Sequence, residues 1–79
     1  KISDTEFIFS GRLEVDYINN KYQLALPIGE EYETLAGLIL QHHGSVPQLN
    51  EVINLHPFSF TIKQVAGNKI DLLALKILE

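Results

Sequence analysis

The stretch "FSFTIKQVAGNKIDLLALKIL", residues 58–78, decides the fold, because it reads as two strands joined by a turn. Phe58 and Phe60 alternate with polar side chains, which is the period of a half-buried strand. Gly67 and Asn68 both tolerate a positive φ and therefore predict a tight hairpin turn. The sequence thus predicts an antiparallel strand pair over this stretch.

Two more strands are predicted upstream. In "EFIFSG", residues 6–11, Phe7 and Phe9 share one face until Gly11 breaks the pattern. A short strand is also predicted at "EVINL", residues 51–55. Core packing is the favoured role of the strand phenylalanines, with a stacking platform for a ring-bearing ligand as the alternative.

Two helices are predicted between the first strand and the others. The first covers residues 14–22, where Val15, Ile18 and Tyr22 recur at helical spacing. The second follows a loop and buries a stripe made of Tyr32, Leu35, Ala36, Ile39, Leu40 and His43. Gly44 is predicted to end this helix in the left-handed conformation.

The order strand, helix, helix and three strands predicts a two-layer α+β domain, with a mostly antiparallel sheet and two helices on one face. A chain of 79 residues is expected to form a single domain over residues 1–79. It starts at Lys1 and contains no methionine, so we expect it to be a fragment of a longer protein.

Composition argues against several classes of partner. The chain has 6 basic and 10 acidic residues, a net charge of −4, and no cluster of Lys or Arg that would follow a phosphate backbone. We therefore expect no nucleic acid partner. Its apolar stretches are far shorter than the roughly 18–20 residues that span a bilayer. Direct membrane insertion by this domain is not expected.

Side chains with catalytic or metal-binding chemistry occur, but not in the required spacing. His42 and His43 are neighbours, whereas a helical zinc pair normally stands at i and i+4. The chain has no cysteine, and its serines lack the context of an activated nucleophile. We therefore predict no metal site, no catalytic residue, no enzyme activity and no cofactor.

Acidic residues gather before the second helix, at Glu30, Glu31 and Glu33. They are predicted to stand at the helix entrance, where the positive end of the helix dipole favours carboxylates. Arg12 is the only arginine and follows the end of the first strand. We expect these residues to make polar contacts with a partner.

The last strand is apolar on both faces. Ile70, Leu72 and Ala74 are predicted on one face, and Leu73, Leu75 and Ile77 on the other. Either the strand is central and covered on both sides within the domain, or one face is buried by another domain or a second copy. Under the second alternative, the predicted docking residues are Leu73, Leu75 and Ile77.

Four segments together resemble the CorC/HlyC transporter-associated domain. They are "FIFSGR" at 7–12, "VDYINNKYQLALP" at 15–27, "EEYETLAGLILQHHGSVP" at 30–47, and "FSFTIKQVAGNKIDLLALKI" at 58–77. The pattern Y-x-T-L-x-G-L-I-L followed by G-x-V-P is the most specific part. Asn50 stands where the family has a glycine before a strand, and it can still take a left-handed turn conformation.

The resemblance implies a noncatalytic accessory or regulatory domain of a magnesium/cobalt efflux or hemolysin-like transporter. Its implied location is the cytoplasmic side of the cell membrane, and its implied fold is similar to that of a flavin-binding subdomain. Its implied partners are the CBS and transmembrane regions of the same parent protein. A homodimer is a further expected contact only under the alternative in which a second copy covers the last strand. The alternative is a small-molecule sensor that binds an adenine-containing ligand or a divalent cation.

Overall fold

The sheet and helices follow the predicted order. The computed structural model describes residues 5–78. Within them lie β1 (Glu6–Ser10), α1 (Val15–Tyr22), α2 (Leu35–His43), β2 (Val52–Leu55), β3 (Phe58–Ala66) and β4 (Lys69–Ile77). The strands form an antiparallel sheet in the order β1-β4-β3-β2. Because both helices pack on the same core face, the predicted two-layer α+β fold is confirmed.

The β3–β4 hairpin turns over two residues, because Ala66 pairs with Lys69. Gly67 has φ +63°, whereas Asn68 does not adopt a positive φ. The predicted tight turn at Gly67 and Asn68 is confirmed, and only Gly67 uses the positive φ that both residues tolerate. A positive φ at the first central position alone is the pattern of a type II′ turn, whose twist suits a hairpin.

The core face of the sheet is built from rows of apolar side chains. In one row, Phe7 pairs with Leu75, Leu75 with Phe60, and Phe60 with Ile53. All four strand phenylalanines are at most 4% exposed, which confirms core packing. Tyr22 of α1 closes this face by setting its ring edge-on to Phe7 and Phe9, with 5.2 Å between the centroids in each pair.

An irregularity in the β3–β4 ladder changes which side chains face the core. Ile62 pairs with Leu73, but the next pairs are Gln64 with Leu72 and Val65 with Ile70. One residue of each strand is therefore left outside the regular pairing. As a result Ile70 is only 2% exposed, whereas Leu72 is 36% exposed. The prediction that Ile70 and Leu72 share a face is wrong for this reason.

Helix α2 begins at Leu35, later than predicted, because the preceding residues are extended and bonded elsewhere. Thr34 is the N-cap, with φ −94° and ψ 162°, and its hydroxyl oxygen accepts from the Gly37 amide. The Glu33 carbonyl accepts from the Val15 amide at 2.8 Å. No acidic residue lies in the first turn of α2, so the predicted helix-entrance role of the glutamates is wrong.

The start of α2 is bonded to the loop after β1, and we call this set of hydrogen bonds the 11–36 strap. The Leu35 amide donates to the Leu13 carbonyl at 2.8 Å, and the Ala36 amide donates to the Gly11 carbonyl at 2.9 Å. The Val15 amide donates to Glu33 on the same side. Together with the Thr34 cap, these bonds engage the amides of the first turn, which a helix cannot bond internally.

Gly11 is the point of closest approach in the strap. An added Cβ would lie 2.2 Å from the Ile70 carbonyl oxygen and 3.1 Å from the Ala36 Cβ. The Gly11 amide also donates to the Asp71 carbonyl at 3.0 Å. A residue without a side chain is therefore required where β1, β4 and α2 meet.

The exit of α2 is held by His43. Gly44 ends the helix at φ +89°, as predicted, and its amide donates to the Leu40 carbonyl. His43 Nε2 donates to Glu51 Oε2, and His43 Nδ1 lies 3.1 Å from the Ser45 carbonyl oxygen. The Gln48 amide donates to the other Glu51 carboxylate oxygen. The loop between α2 and β2 is thereby tied back to the helix end.

We expect Gly11→Ala to lower the free energy of unfolding by about 3 kcal/mol, because the Cβ cannot fit against the Ile70 carbonyl. That loss corresponds to a Tm at least about 12 °C lower. Gly67→Ala is the matched control, since its Cβ meets open space and the positive φ alone should cost about 1 kcal/mol. Equal losses in thermal unfolding of the two variants would contradict the close approach.

The Glu51 carboxylate should make stability depend on acid pH. Hydrogen bonds from the Gln48 amide and then the His43 ring hold the pKa of Glu51 below its ordinary value. Its contribution is therefore present above the unfolded-state pKa of about 4.3 and is lost as pH falls through the lower folded-state pKa. In urea unfolding, wild type should be more stable than Glu51→Gln at neutral pH, and the gap should close below about pH 4. A gap that stays constant with pH would contradict this account.

Candidate interaction site

A cleft of about 570 Å³ opens between the start of α1 and the loop that precedes α2. It is lined by Glu14, Val15, Asp16, Ile28, Gly29, Glu30, Tyr32 and Glu33. The strap brings the two walls together, because Val15 on one wall donates its amide to Glu33 on the other. The cleft therefore depends on contacts between segments far apart in sequence.

The loop wall of the cleft is fixed by side-chain hydrogen bonds. Asn19 of α1 uses its amide nitrogen to donate to the Leu26 carbonyl, and its oxygen accepts from the Leu26 amide. The Tyr32 hydroxyl donates to the Pro27 carbonyl at 2.9 Å. Because the Asn19 side chain bonds both the amide and the carbonyl of Leu26, it fixes the backbone of the loop at that residue.

The cleft carries an excess of negative charge. Four of its lining side chains are carboxylates, and its lining contains no Lys or Arg. With Glu31 beside it, this region holds five of the chain's ten acidic residues, which leaves five acidic against six basic residues elsewhere. The net negative charge of the chain is therefore concentrated at this cleft.

The carboxylates are not gathered as metal ligands. Over residues 5–78, no three His, Asp or Glu side chains lie close enough together to hold an ion. Glu31 instead accepts a hydrogen bond from the Gln41 side chain of α2 and is not part of the lining. The predicted trio of glutamates is thus divided, with Glu30 and Glu33 in the cleft and Glu31 against α2.

The cleft also has an apolar part. Ile28 is 70% exposed at its rim. Tyr32 is partly buried against the core and presents its ring below Gly29. Tyr32 Cβ would also lie 2.9 Å from a Cβ on Gly37, which explains the glycine inside α2. Negative charge around an apolar patch suits a cationic partner with apolar side chains.

Arg12 lies next to the cleft. It is exposed and lines a smaller depression with Leu13, Glu14 and Tyr17. Glu14 belongs to both depressions, so the structure places Arg12 at the margin of the acidic region. The Arg12 amide donates to the Ser10 hydroxyl oxygen, which fixes the backbone there.

The predicted docking residues of β4 line neither depression. Leu73 and Leu75 are 0% exposed in the core, and Ile77 is partly buried against it. Their side chains face the helices of their own domain, so those of Leu73 and Leu75 are not accessible to a partner. The uncovered face of the sheet instead carries Ile8, Val52 and Leu72, which are 39%, 52% and 36% exposed.

Ser45, His43 and Glu51 are connected as in a proton relay, but they do not line a cleft. Ser45 Oγ lies 3.2 Å from His43 Nδ1, and His43 Nε2 bonds to Glu51. The same Nδ1 faces the Ser45 carbonyl, and none of these residues lines either depression described above. The arrangement is accounted for by its role in holding the helix exit.

Sequence reasoning missed Glu14 and Asp16 as part of the site. Both stand at the beginning of α1, where Asp16 complements the helix dipole. The Glu14–Thr34 backbone bridge places them opposite Glu30 and Glu33. Because this bridge leaves no pattern in the side chains, the sequence alone does not predict it.

Known proteins place the chain in a family. The model of the CorC_HlyC family, described as a transporter associated domain, matches residues 1–79. Hemolysin C from Brachyspira hyodysenteriae is 32% identical over 66 residues, which cover 82% of this chain and 24% of that protein. The chain therefore spans about a quarter of the curated relative it matches.

Solved structures share the fold. A Mg2+ and Co2+ transporter (CorC) associated region from Neisseria meningitidis MC58 matches with TM-score 0.87 and 20% identity, covering 99% of this chain and 95% of that chain. The transporter associated domain of a CBS domain protein from Porphyromonas gingivalis matches with TM-score 0.83 and 23% identity, covering 99% and 94%. The chain belongs to the CorC_HlyC transporter-associated domain family.

Proposed function

We propose that this chain is a noncatalytic accessory domain that regulates a magnesium/cobalt efflux or hemolysin-like transporter through contacts with other parts of the same protein. The observation that carries the proposal is the acidic cleft, which concentrates the net charge of the chain on a surface with a fixed backbone. The family match supports the transporter context. A surface of this kind selects a partner by charge and shape.

The proposed context is a longer, membrane-anchored parent. The Porphyromonas gingivalis relative is a CBS domain protein, and the Neisseria meningitidis relative is associated with a Mg2+ and Co2+ transporter. We propose that this domain follows a CBS pair on the cytoplasmic side of the membrane. Neither helix of the described chain is long and apolar enough to cross a membrane.

The proposed partner of the cleft is a basic segment of the parent protein. Glu14, Asp16, Glu30 and Glu33 would receive Lys or Arg side chains, and Ile28 would pack on an apolar neighbour. Arg12 would orient the partner by repelling positive charge at the margin and by donating hydrogen bonds to a carboxylate of the partner there. In this proposal Glu30 and Glu33 keep the interaction role predicted from the sequence. Glu31 would contribute indirectly, because its carboxylate is bonded to Gln41 of α2.

The double variant Glu30→Gln/Glu33→Gln should weaken docking of this domain on the rest of the parent by roughly fivefold, because two exposed charges are lost. Calorimetric titration of the chain against the remaining parent fragment measures the change. Asp71→Asn removes a carboxylate outside the cleft and should leave affinity within about twofold. Equal affinities of Asp71→Asn, the double variant and wild type would refute the cleft as the contact.

Sensing of a divalent cation is the second candidate, favoured by the four carboxylates of the cleft. A cation at a hundred times its Kd would stabilise the fold by about 2.7 kcal/mol. The contact role predicts no such stabilisation, because the carboxylates are not gathered as ligands. A thermal-shift series with Mg²⁺, Co²⁺ and adenine nucleotides separates the two. A saturable shift with Mg²⁺ or Co²⁺ that Glu30→Gln/Glu33→Gln abolishes would establish the sensor instead.

A further inference from the structure

The two edges of the sheet differ in how they are protected. Natural sheets protect an edge by making its strand short, or by placing Pro, a charged side chain or a bulge there. Edge strand β2 has four residues, and Pro57 follows its end by two residues. Edge strand β1, Glu6–Ser10, has five residues, no Pro, a regular ladder with β4, and its one charged side chain at its start. Among the described strands, β1 is therefore the longer edge, and its centre carries neither a charge nor a Pro.

The hydrogen-bonding direction of each β1 residue follows from its partners on β4. The Ile77 amide donates to the Thr5 carbonyl, and the Gly11 amide donates to the Asp71 carbonyl. Because backbone groups alternate along an antiparallel strand, Phe7 and Phe9 also face β4, whereas Glu6, Ile8 and Ser10 face outward. The Ser10 carbonyl accepts from the Leu13 amide, so the outward groups of Glu6 and Ile8 define the open edge.

We propose that a second copy of this chain pairs with β1, antiparallel and centred on Ile8, to make one continuous eight-stranded sheet. Each Ile8 would exchange both of its backbone hydrogen bonds with Ile8 of the second copy. This deepens the contact role proposed above and rests on it. The β1 edge of one copy would thus pair with the same β1 edge of the other.

The side chains of β1 suit pairing with themselves. With Ile8 at the centre, Glu6 lies opposite Ser10 of the second copy, so no like charges face each other. On the core face, Phe7 lies opposite Phe9, which extends the stacked pair whose centroids are 5.4 Å apart. A parallel arrangement would instead place Glu6 beside Glu6.

The uncovered face of the sheet supports the same register. Val52 pairs with Thr61, Thr61 with Ala74, and Ala74 with Ile8, which forms one row across the four strands. Pairing at Ile8 joins the rows of two copies end to end. The exposed Ile8, 39% accessible in the single chain, would then be flanked on both sides. A strand from another part of the parent is the competing occupant and is an outcome of the test.

Analytical ultracentrifugation over a concentration series tests the pairing. Wild type should form a reversible dimer, and Ile8→Lys should be monomeric because it places like charges opposite each other. Val52→Lys is the matched control, since Val52 ends the same row at the other edge and should leave the dimer intact. Circular dichroism should show that both variants fold, because both side chains are exposed.

Three outcomes would overturn the proposal: a wild-type monomer at every concentration, a dimer unaffected by Ile8→Lys, or equal dissociation by both variants. A wild-type monomer that binds an extended parent segment at β1 would assign the edge to that segment. A monomeric wild type would overturn the pairing proposal without deciding the role of the acidic cleft, because docking at the cleft is measured separately with Glu30→Gln/Glu33→Gln.

Spin labels provide a second measurement that does not depend on disrupting the contact. The chain has no cysteine, so Ile8→Cys and Val52→Cys each give one labelled position. Edge pairing places the two Ile8 Cα atoms about 5.5 Å apart and the two Val52 Cα atoms about 34 Å apart, since three strand spacings separate the positions in each copy. A short distance between the Val52 labels would indicate face-to-face packing and would contradict edge pairing.

Discussion

The 11–36 strap is the contact on which the rest of the domain depends. Three short hydrogen bonds join the loop after β1 to the segment that begins α2. They engage first-turn amides of α1 and α2 that have no partner within their own helix, and they hold the start of α2 beside the start of α1. Gly11 makes this approach feasible, because any side chain there would collide with the Ile70 carbonyl. The strap thus adds a backbone link between the helical layer and the edge of the sheet to the apolar packing of the core.

The strap also creates the candidate site. It places Glu14 and Asp16 of the α1 start opposite Glu30 and Glu33 of the loop. Backbone groups bond to each other across this boundary, so the four carboxylates are not needed to join the two walls and can face solvent. A fixed backbone with exposed charge is the combination expected of a surface that selects a partner, and it differs from the converging groups of a catalytic pocket.

Local patterns predicted much of the fold. The alternation in β1 and β3, the helical stripe of α1, and Gly44 at the end of α2 were each visible in a few neighbouring residues. Asn50 also takes the left-handed conformation expected of it, with φ +68°. These features depend on side-chain period or on one backbone angle, so a single sequence is sufficient to predict them.

The errors came from contacts between distant segments. The late start of α2 reflects the pairing of Glu33 with Val15, which has no sequence signature. The facing of Ile70 depends on a register shift in the β3–β4 ladder, and an apolar strand cannot reveal such a shift. The two apolar faces of β4 were recognised, but the core face is that of Leu73 and Leu75. Periodicity identified the faces without showing which one the helices cover.

Amide hydrogen exchange at Val15, Leu35 and Ala36 tests the central claim most directly. If the strap holds the helical layer to the sheet, these three amides should exchange only on global unfolding, as slowly as the amides of β3 and β4. If they exchange through local opening, as fast as the amides of the loop between α2 and β2, the strap is not the contact that organises this domain.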